Sequence, residues 1–365
     1  MRRKIYQELL QWKQRSGESA LLVQGARRVG KSYIVEAFAK AEYKSYILID
    51  FNLVDQPVKE MFEHDLVDLK TFFMKLTTYY GVKLYERESL IIFDEVQLFP
   101  RARSAIKYLV ADGRYDYIET GSLISIRENV KDILIPSEED HVDMYPLDFE
   151  EFLWANGNDT MMDFIRDCYR KKAPLGQALH RKAMDLFRQY LIVGGMPQAV
   201  NAFVKHNDFD EVDRVKRRIL NLYRDDIRKH AKGYEMKVEA IYDEIPSQMK
   251  NQNQHFKLSS LKQGARFDEY KDAMFWLSDA MIVNHCYNAT EPTFGLNLNR
   301  DRTLLKCYMG DTGLLISHAF DENGIVTGEV YKKLLLDKLE VNMGMVMENM
   351  VAQMLTASGH KLYFY

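Results

Sequence analysis

Cysteine is scarce in this 365-residue chain: three residues, Cys168, Cys286 and Cys307, far apart and without C-x-x-C spacing. That excludes a disulfide frame and a thiolate zinc site, and it predicts the reduced thiols of a cytoplasmic protein. The nine histidines are scattered, with no H-x-x-x-H pair beside an acidic partner, so they suggest no metal site. Long apolar runs are missing as well. The longest uncharged stretch, "YLIVGGMPQAVNAFV", has about 15 residues and is interrupted by Gly-Gly and Pro. A membrane-spanning helix needs roughly 20, so no membrane partner is expected. The opening "MRRKIYQELLQW" is charged and then amphipathic, with no apolar core of a signal peptide. A net charge of −3 gives no global pull toward nucleic acid or acidic lipid, and any such partner would need a local patch. No internal repeat and no low-complexity tract occurs.

What is present is ample material for folded cores, 47% hydrophobic and 28% charged residues, over a length that suggests two or three domains. The most informative stretch is "GARRVGKS", Gly25 to Ser32. Its G-x-x-x-x-G-K-[ST] spacing lets the backbone curl so that N–H groups surround a polyphosphate. Lys31 would reach the β/γ oxygens and the Ser32 hydroxyl would ligate Mg²⁺. The nucleotide contacts expected are therefore Gly25, Ala26, Arg27, Arg28, Val29, Gly30, Lys31, Ser32 and Tyr33. Apolar "ALLVQ" before the motif reads as a buried parallel strand. "KSYIVEAFAK" after it places Ile34, Val35 and Phe38 on one helical face, with the helix N-terminus aimed at the phosphates. The spacing does not fit the dinucleotide G-x-G-x-x-G pattern.

A second motif ends another buried strand. In "SLIIFDEVQ", Leu90 to Phe93 form an apolar run tipped by Asp94 and Glu95, some 65 residues beyond the loop. Asp94 suits a role in holding Mg²⁺ and Glu95 a role as general base for the attacking water. Further strands are expected at "YILIDF", "YDYIETGS" and "HVDMYPLDF". Alternating with helices such as "RARSAIKYLVAD", they predict an α/β fold with a parallel sheet. Thr120 and Ser122, ending the fourth strand, are either turn hydroxyls or sensors of the γ-phosphate and water. No N-K-x-D guanine-reading sequence occurs, which favours ATP over GTP. Arg101, Arg103, Arg114 and Arg127 follow the acidic strand tip or lie near the fourth strand, but each could equally be an ordinary surface arginine, so no arginine finger is assigned.

"GARRVGKS", "IIFDEVQLFP", "ETGSLIS" and "YPLDFEEFL", in that order, resemble the prokaryotic AAA-type P-loop ATPases with a C-terminal DUF4143 region, similar to archaeal-type and STAND-like ATPases. The resemblance continues through "YLIVGGMPQAV", "YRDDIRK", "LKCYMGDTGLL" and "ENMVAQML". It implies a P-loop NTPase parallel sheet of the additional-strand class, followed by a helical lid, a winged-helix-like module and a restriction-endonuclease-like segment. The expected boundaries are 1–150 for the ATPase domain, 151–232 for the lid, 233–310 for the winged-helix-like module and 311–365 for the nuclease-like start. The turn at Gly194-Gly195-Met196-Pro197 reads either as a plain helix–helix corner or, as the resemblance implies, as a nucleotide contact through Gly195 and Pro197.

The remaining patterns are coarser. "FDEVDRVKRRILNLYRDDIRKHAK" predicts a long amphipathic helix with Phe209, Val212, Val215, Ile219, Leu222 and Ile227 as its stripe. Its Lys216-Arg217-Arg218 run is expected on a solvated face rather than against phosphate. "KLSSLKQGA" and "FDEYKDAMFWLSDAMIV" suggest a helix-turn-helix core, with Met274, Leu277 and Met281 buried and a wing beginning at "IVNHCYNA". The acidic Asp268, Glu269 and Asp272 argue against DNA reading and for an internal or partner-docking role. Glu348 matches the first acidic position of nuclease-like folds, but the further carboxylate and acidic-x-Lys elements do not follow before Tyr365. The expectation is a truncated segment without nuclease activity, whose first strand "HKLYFY" leaves an unpaired edge. The function expected is Mg²⁺-dependent ATP hydrolysis driving a conformational switch. The alternative is a nucleotide-gated binding protein with little turnover that docks a protein or DNA partner. Homo-oligomerisation would be required if an arginine finger came from a neighbour.

Overall fold

The computed structural model describes residues 1–15, 17–121, 138–251, 255–293, 295–320 and 343–365. The chain divides into two compact units, Arg3–Met144 and Tyr145–Tyr365, the latter joined by Met1–Arg2. Among the described residues no helix is long and apolar enough to cross a membrane.

The N-terminal unit begins with helix α1 (Ile5–Gln14), followed by β1 (Ala20–Gly25), α2 (Lys31–Glu42) and β2 (Ser45–Asp50). Then come α3 (Gln56–Glu60), α4 (Leu69–Tyr80), β3 (Ser89–Asp94), α5 (Pro100–Asp112), β4 (Asp116–Gly121) and β5 (Glu139–Met144). The five strands form one parallel sheet in the order β2-β3-β4-β1-β5. β4 is thus inserted between the strand that enters the glycine-rich loop and the strand that ends in Asp94, as the additional-strand class requires. Every residue of β3 is buried, which fits a central strand covered on both faces.

Alternation along the strands sorts the core into two layers. Ile47, Ile49, Ile91, Phe93 and Tyr117 lie with Phe72, Phe73 and Leu76 of α4 and with Ala102, Ile106 and Leu109 of α5. Phe51, Phe62, Phe72 and Phe93 stack edge-to-face there, with centroids 5.1–5.8 Å apart, adding about 0.5–1.5 kcal/mol per pair beyond burial. α2 covers the opposite layer with buried Ile34, Val35 and Phe38.

The fifth strand stops at Met144, earlier than the "HVDMYPLDF" reading. Pro146 disfavours continued pairing, and Asp148 already caps the next helix through a capping box with Glu151.

The C-terminal unit opens with α6 (Phe149–Ala155), α7 (Met161–Lys171), α8 (Gln177–Val193), α9 (Pro197–His206) and α10 (Phe209–His230). After them come α11 (Glu235–Lys250), α12 (Phe267–Asp279), β6 (Val283–Ala289), β7 (Arg300–Met309), α13 (Thr312–Ala319), α14 (Met343–Ala357) and β8 (Leu362–Phe364). β6 is central to a small sheet, antiparallel to β7 and parallel to β8. The strand of "HKLYFY" is therefore hydrogen-bonded along one edge, with Cys286 opposite Leu362.

Four expectations are corrected here. The buried residues of α10 are Val212, Asp213, Lys216, Ile219, Leu220, Tyr223 and Ile227, with Phe209, Val215 and Leu222 only half-buried. Lys216 is completely buried rather than solvated. Its ammonium donates to Ile192 O at 2.8 Å, one of the last-turn carbonyls of α8 that lack an intrahelical partner and attract cations. "KLSSLKQGA" supplies only a 3₁₀ turn, Leu258–Ser260, because its serines and glycine favour local turns over a helix. Met281 lies past the end of α12 with φ of 56°, off the buried helical face.

Candidate functional site

The glycine-rich loop runs from the end of β1 into α2. A Cβ on Gly25 would stand 2.3 Å from Met144 O, so only glycine allows β5 to lie this close. Gly30 caps α2 with φ of 97°, a conformation that glycine adopts without strain. Lys31, the first residue of α2, is buried. Its Nζ donates to Gly25 O at 2.9 Å and Ala26 O at 3.1 Å, which places the ammonium inside the loop.

One residue later, Ser32 Oγ donates to Asp94 Oδ1 at 2.8 Å. The Thr120 hydroxyl donates to the same oxygen, and Glu95 N donates to Thr120 Oγ1 at 3.4 Å. Three carboxyl ends of parallel strands, β1, β3 and β4, thereby bring a lysine, two hydroxyls and two carboxylates to one side of the sheet. In open α/β sheets that crevice is where ligands bind. Glu95 holds φ of 53° and ψ of 44°, a left-handed conformation that costs a non-glycine residue on the order of 1–2 kcal/mol. Its carboxylate accepts from Gln97 Nε2.

The other residues expected at the site sit as follows. Ala26 and Val29 are buried within the loop, while Arg27, Arg28 and Tyr33 are exposed, Tyr33 at 63%. Ser122 and Arg127 lie outside the described residues. Gly195 and Pro197 belong to the C-terminal unit. There Gly195 N donates to Asp311 Oδ2 at 2.5 Å, and a Cβ on Gly195 would meet Leu147 O at 2.1 Å. Pro197 is the first residue of α9, where its missing N–H costs nothing. Close packing thus accounts for the glycines of this corner.

Arg103 is not a surface arginine. It is 2% exposed, with Nη1 at 3.4 Å from Glu119 Oε2 and Nη2 at 2.9 Å from Glu139 Oε1. Burial, and then the Glu139 charge, push the Glu119 carboxyl well above its usual range despite Arg103. Ala20, in register with Glu139 and two residues before Leu22 opposite Glu119, leaves space on β1 between the two acids. This buried charge cluster beside Thr120 escaped the sequence reading. Its signal was a glutamate in the middle of an otherwise closed strand, "YIETG".

The loop, the acidic strand tip and the inserted strand between them are the features of a nucleotide-binding AAA core. The family model described as "AAA domain" matches residues 17–153. Over those residues the chain is similar to that family. A second model matches residues 184–323 and is described only as a domain of unknown function, DUF8612, where the resemblance named DUF4143. No curated protein matches the chain. Among solved structures, the Orc1 protein of Aeropyrum pernix in complex with DNA is similar at 10% identity and a TM-score of 0.31, over 89% of this chain and 94% of that one. The Thermotoga maritima RuvB Holliday junction branch migration motor gives 10% and 0.33 over 78% and 89%. A STAND protein with a tetratricopeptide repeat sensor from Pyrococcus horikoshii gives 12% and 0.33 over 97% and 48%. None of the three likenesses bears on what this chain binds.

Proposed function

We propose that the AAA domain binds ATP with Mg²⁺ and hydrolyses it, and that the nucleotide state changes the pose of the C-terminal modules. The observation that carries this reading is the convergence of Ser32 Oγ and Thr120 Oγ1 on Asp94 Oδ1, one residue from a lysine held inside the loop. The donor set suits a hard cation. Ser32 Oγ and Asp94 Oδ1, 2.8 Å apart, are hard oxygen donors that would hold Mg²⁺, the carboxylate through water. When bound there, Mg²⁺ would neutralise charge on the β/γ oxygens.

The chain's own residues do the rest. Lys31 exchanges the carbonyls of Gly25 and Ala26 for phosphate oxygens, and the N–H groups of the loop and the first turn of α2 hold the remaining charge. Glu95 accepts the proton of the attacking water once its carboxylate leaves Gln97. Ser122 follows the fourth strand and is proposed as a further polar contact to the γ-phosphate or the water. Arg27, Arg28, Tyr33, Gly195 and Pro197 are proposed as outer contacts. In the C-terminal unit, residues 151–232 are read as the lid and 233–310 as a winged-helix-like module built on α11, α12, β6 and β7. Residues 311–365 are read as a nuclease-like segment. A cytoplasmic location, a homo-oligomer and a protein or DNA partner belong to the same proposal.

One observation favours the second reading, a nucleotide-gated binding protein with little turnover. Glu95, the proposed base, is engaged by Gln97. Titration of a fluorescent ATP analogue into wild type and Lys31→Ala tests what the two readings share. Wild type should bind, and Lys31→Ala should lose most of the affinity at unchanged folding; equal binding would refute the site. Turnover with and without DNA separates the readings, since tight retention without turnover selects the second.

A further inference from the structure

The backbone of a phosphate-binding loop must send its N–H groups inward, so its carbonyls need partners elsewhere. Four of them can be followed. Gly25 O and Ala26 O accept from Lys31, and Gly30 O accepts from Ile34 N at 3.1 Å within α2. Val29 O, on a fully buried residue, accepts from Arg3 Nη1 at 3.0 Å. That partner comes from outside the loop, 26 residues earlier in the chain, and is itself only 8% exposed.

Helix α1 holds Arg3 in place by gripping the loop's own helix at its far end. Tyr6 OH donates to Glu42 Oε1 at 2.7 Å, Lys13 Nζ donates to Glu42 O, and the Tyr6 and Phe38 rings meet edge-to-face at 5.4 Å. Trp12 Nε1 donates to Ser19 O at 3.1 Å, where the chain enters β1. The peptide joining Val29 to Gly30 is planar and trans, so its C=O and N–H point in opposite directions. Fixing Val29 O on the Arg3 guanidinium therefore aims Gly30 N–H away from α1.

We infer that Arg3 is a positioning residue for the phosphate-binding loop, setting the affinity for the ATP polyphosphate and leaving the turnover of bound ATP unchanged. The inference rests on the ATP reading above. Arginine suits the task because it stays charged at every accessible pH and donates through a rigid fork. Its charge also adds to the positive potential at the loop, so affinity should fall more steeply with salt in the wild type than in a neutral variant.

The test compares wild type, Arg3→Met and Arg3→Lys in equilibrium binding of a fluorescent ATP analogue, steady-state ATP hydrolysis and thermal unfolding. The expected result for Arg3→Met is about tenfold weaker binding, with KM raised in step, kcat within twofold of wild type and a flatter salt dependence. Arg3→Lys, which keeps a charged donor, should recover part of the affinity, and it serves as the deciding variant if Arg3→Met does not fold. ATP affinity within twofold of wild type in a folded Arg3→Met, or in Arg3→Lys where Arg3→Met does not fold, would overturn the inference while leaving the ATP reading intact. A wild type that binds no nucleotide would overturn both.

Discussion

Among the described residues two lysines are buried, one in each unit, and both donate to backbone carbonyls. Lys31 reaches Gly25 O and Ala26 O, and Lys216 reaches Ile192 O. Their surroundings differ. Around Lys31 the neighbouring polar groups, Ser32, Asp94 and Thr120, gather at the carboxyl ends of strands, and the carbonyls it holds belong to a loop that can release them. Lys216 lies among Asp213 and Asp311, and its polar neighbourhood closes on itself. Arg217 Nε donates to Asp213 Oδ2 at 2.6 Å, Ser317 Oγ donates to Asp213 Oδ1 at 2.7 Å, and Asp311 caps α13 while accepting from Gly195 N. Burial of a charge does not by itself mark a ligand site. The distinction lies in whether the partners are groups that a ligand would replace.

The strongest break of that symmetry is a pair of opposite phenotypes. Lys31→Ala should weaken ATP binding by at least about 100-fold, roughly 2.7 kcal/mol, with little change in a denaturation midpoint. Lys216→Ala should do the reverse, costing about 3 kcal/mol of stability because it opens a cavity, leaves Ile192 O without its donor and takes the nearby positive charge from Asp311. Its nucleotide affinity should stay at the wild-type value. Loss of binding in a folded Lys216→Ala would show that the two networks are coupled.

Next in size is Gly195→Ala. A Cβ there meets Leu147 O at 2.1 Å, so an overpacking penalty of about 2–3 kcal/mol is expected in urea unfolding. An unchanged midpoint would contradict the packing account of this corner.

A smaller effect concerns pH. Burial pulls the Lys216 amine from 10.5 down to about 8, against the charges of Asp213 and Asp311. Between those values the unfolded chain binds the proton and the folded one does not, so this group makes stability rise with pH across that window. Lys216→Met should flatten the rise; it fills the space of the lysine stem but still leaves Ile192 O without its donor, so it should cost about 1–3 kcal/mol at neutral pH. Glu119 has the opposite sign. Its raised carboxyl pKa means that the folded state holds the proton longer, so its contribution falls as pH climbs above about 4.3. Glu119→Gln should flatten that fall in a stability–pH profile; an unaltered profile would remove Glu119 as its source.

What the sequence made legible follows the same division. The loop, the acidic tip of β3 and the five strands were readable because phosphate chemistry demands fixed residue types at fixed spacing, and because buried parallel strands are continuous apolar runs. Lys216 was misread because a basic triplet on an amphipathic helix has the pattern of a solvated face, and only the position of the α8 carboxyl end shows otherwise. Arg3 could not be read at all, since its partner lies 26 residues away and no local pattern joins them. Ser259 and Ser260 broke the expected first helix of "KLSSLKQGA" by favouring a turn, a preference visible in the sequence but outweighed there by helical spacing.

The central claim is that Glu95 is the base of an ATP-hydrolysing site, and a single variant tests it most directly. In Glu95→Gln the loop, Lys31, Ser32 and Asp94 all remain, so the affinity for ATP should match the wild type within about twofold. Phosphate release in a single-turnover experiment should slow by about 100-fold or more, in line with the typical contribution of a positioned general base. Hydrolysis by Glu95→Gln at the wild-type rate would contradict the account.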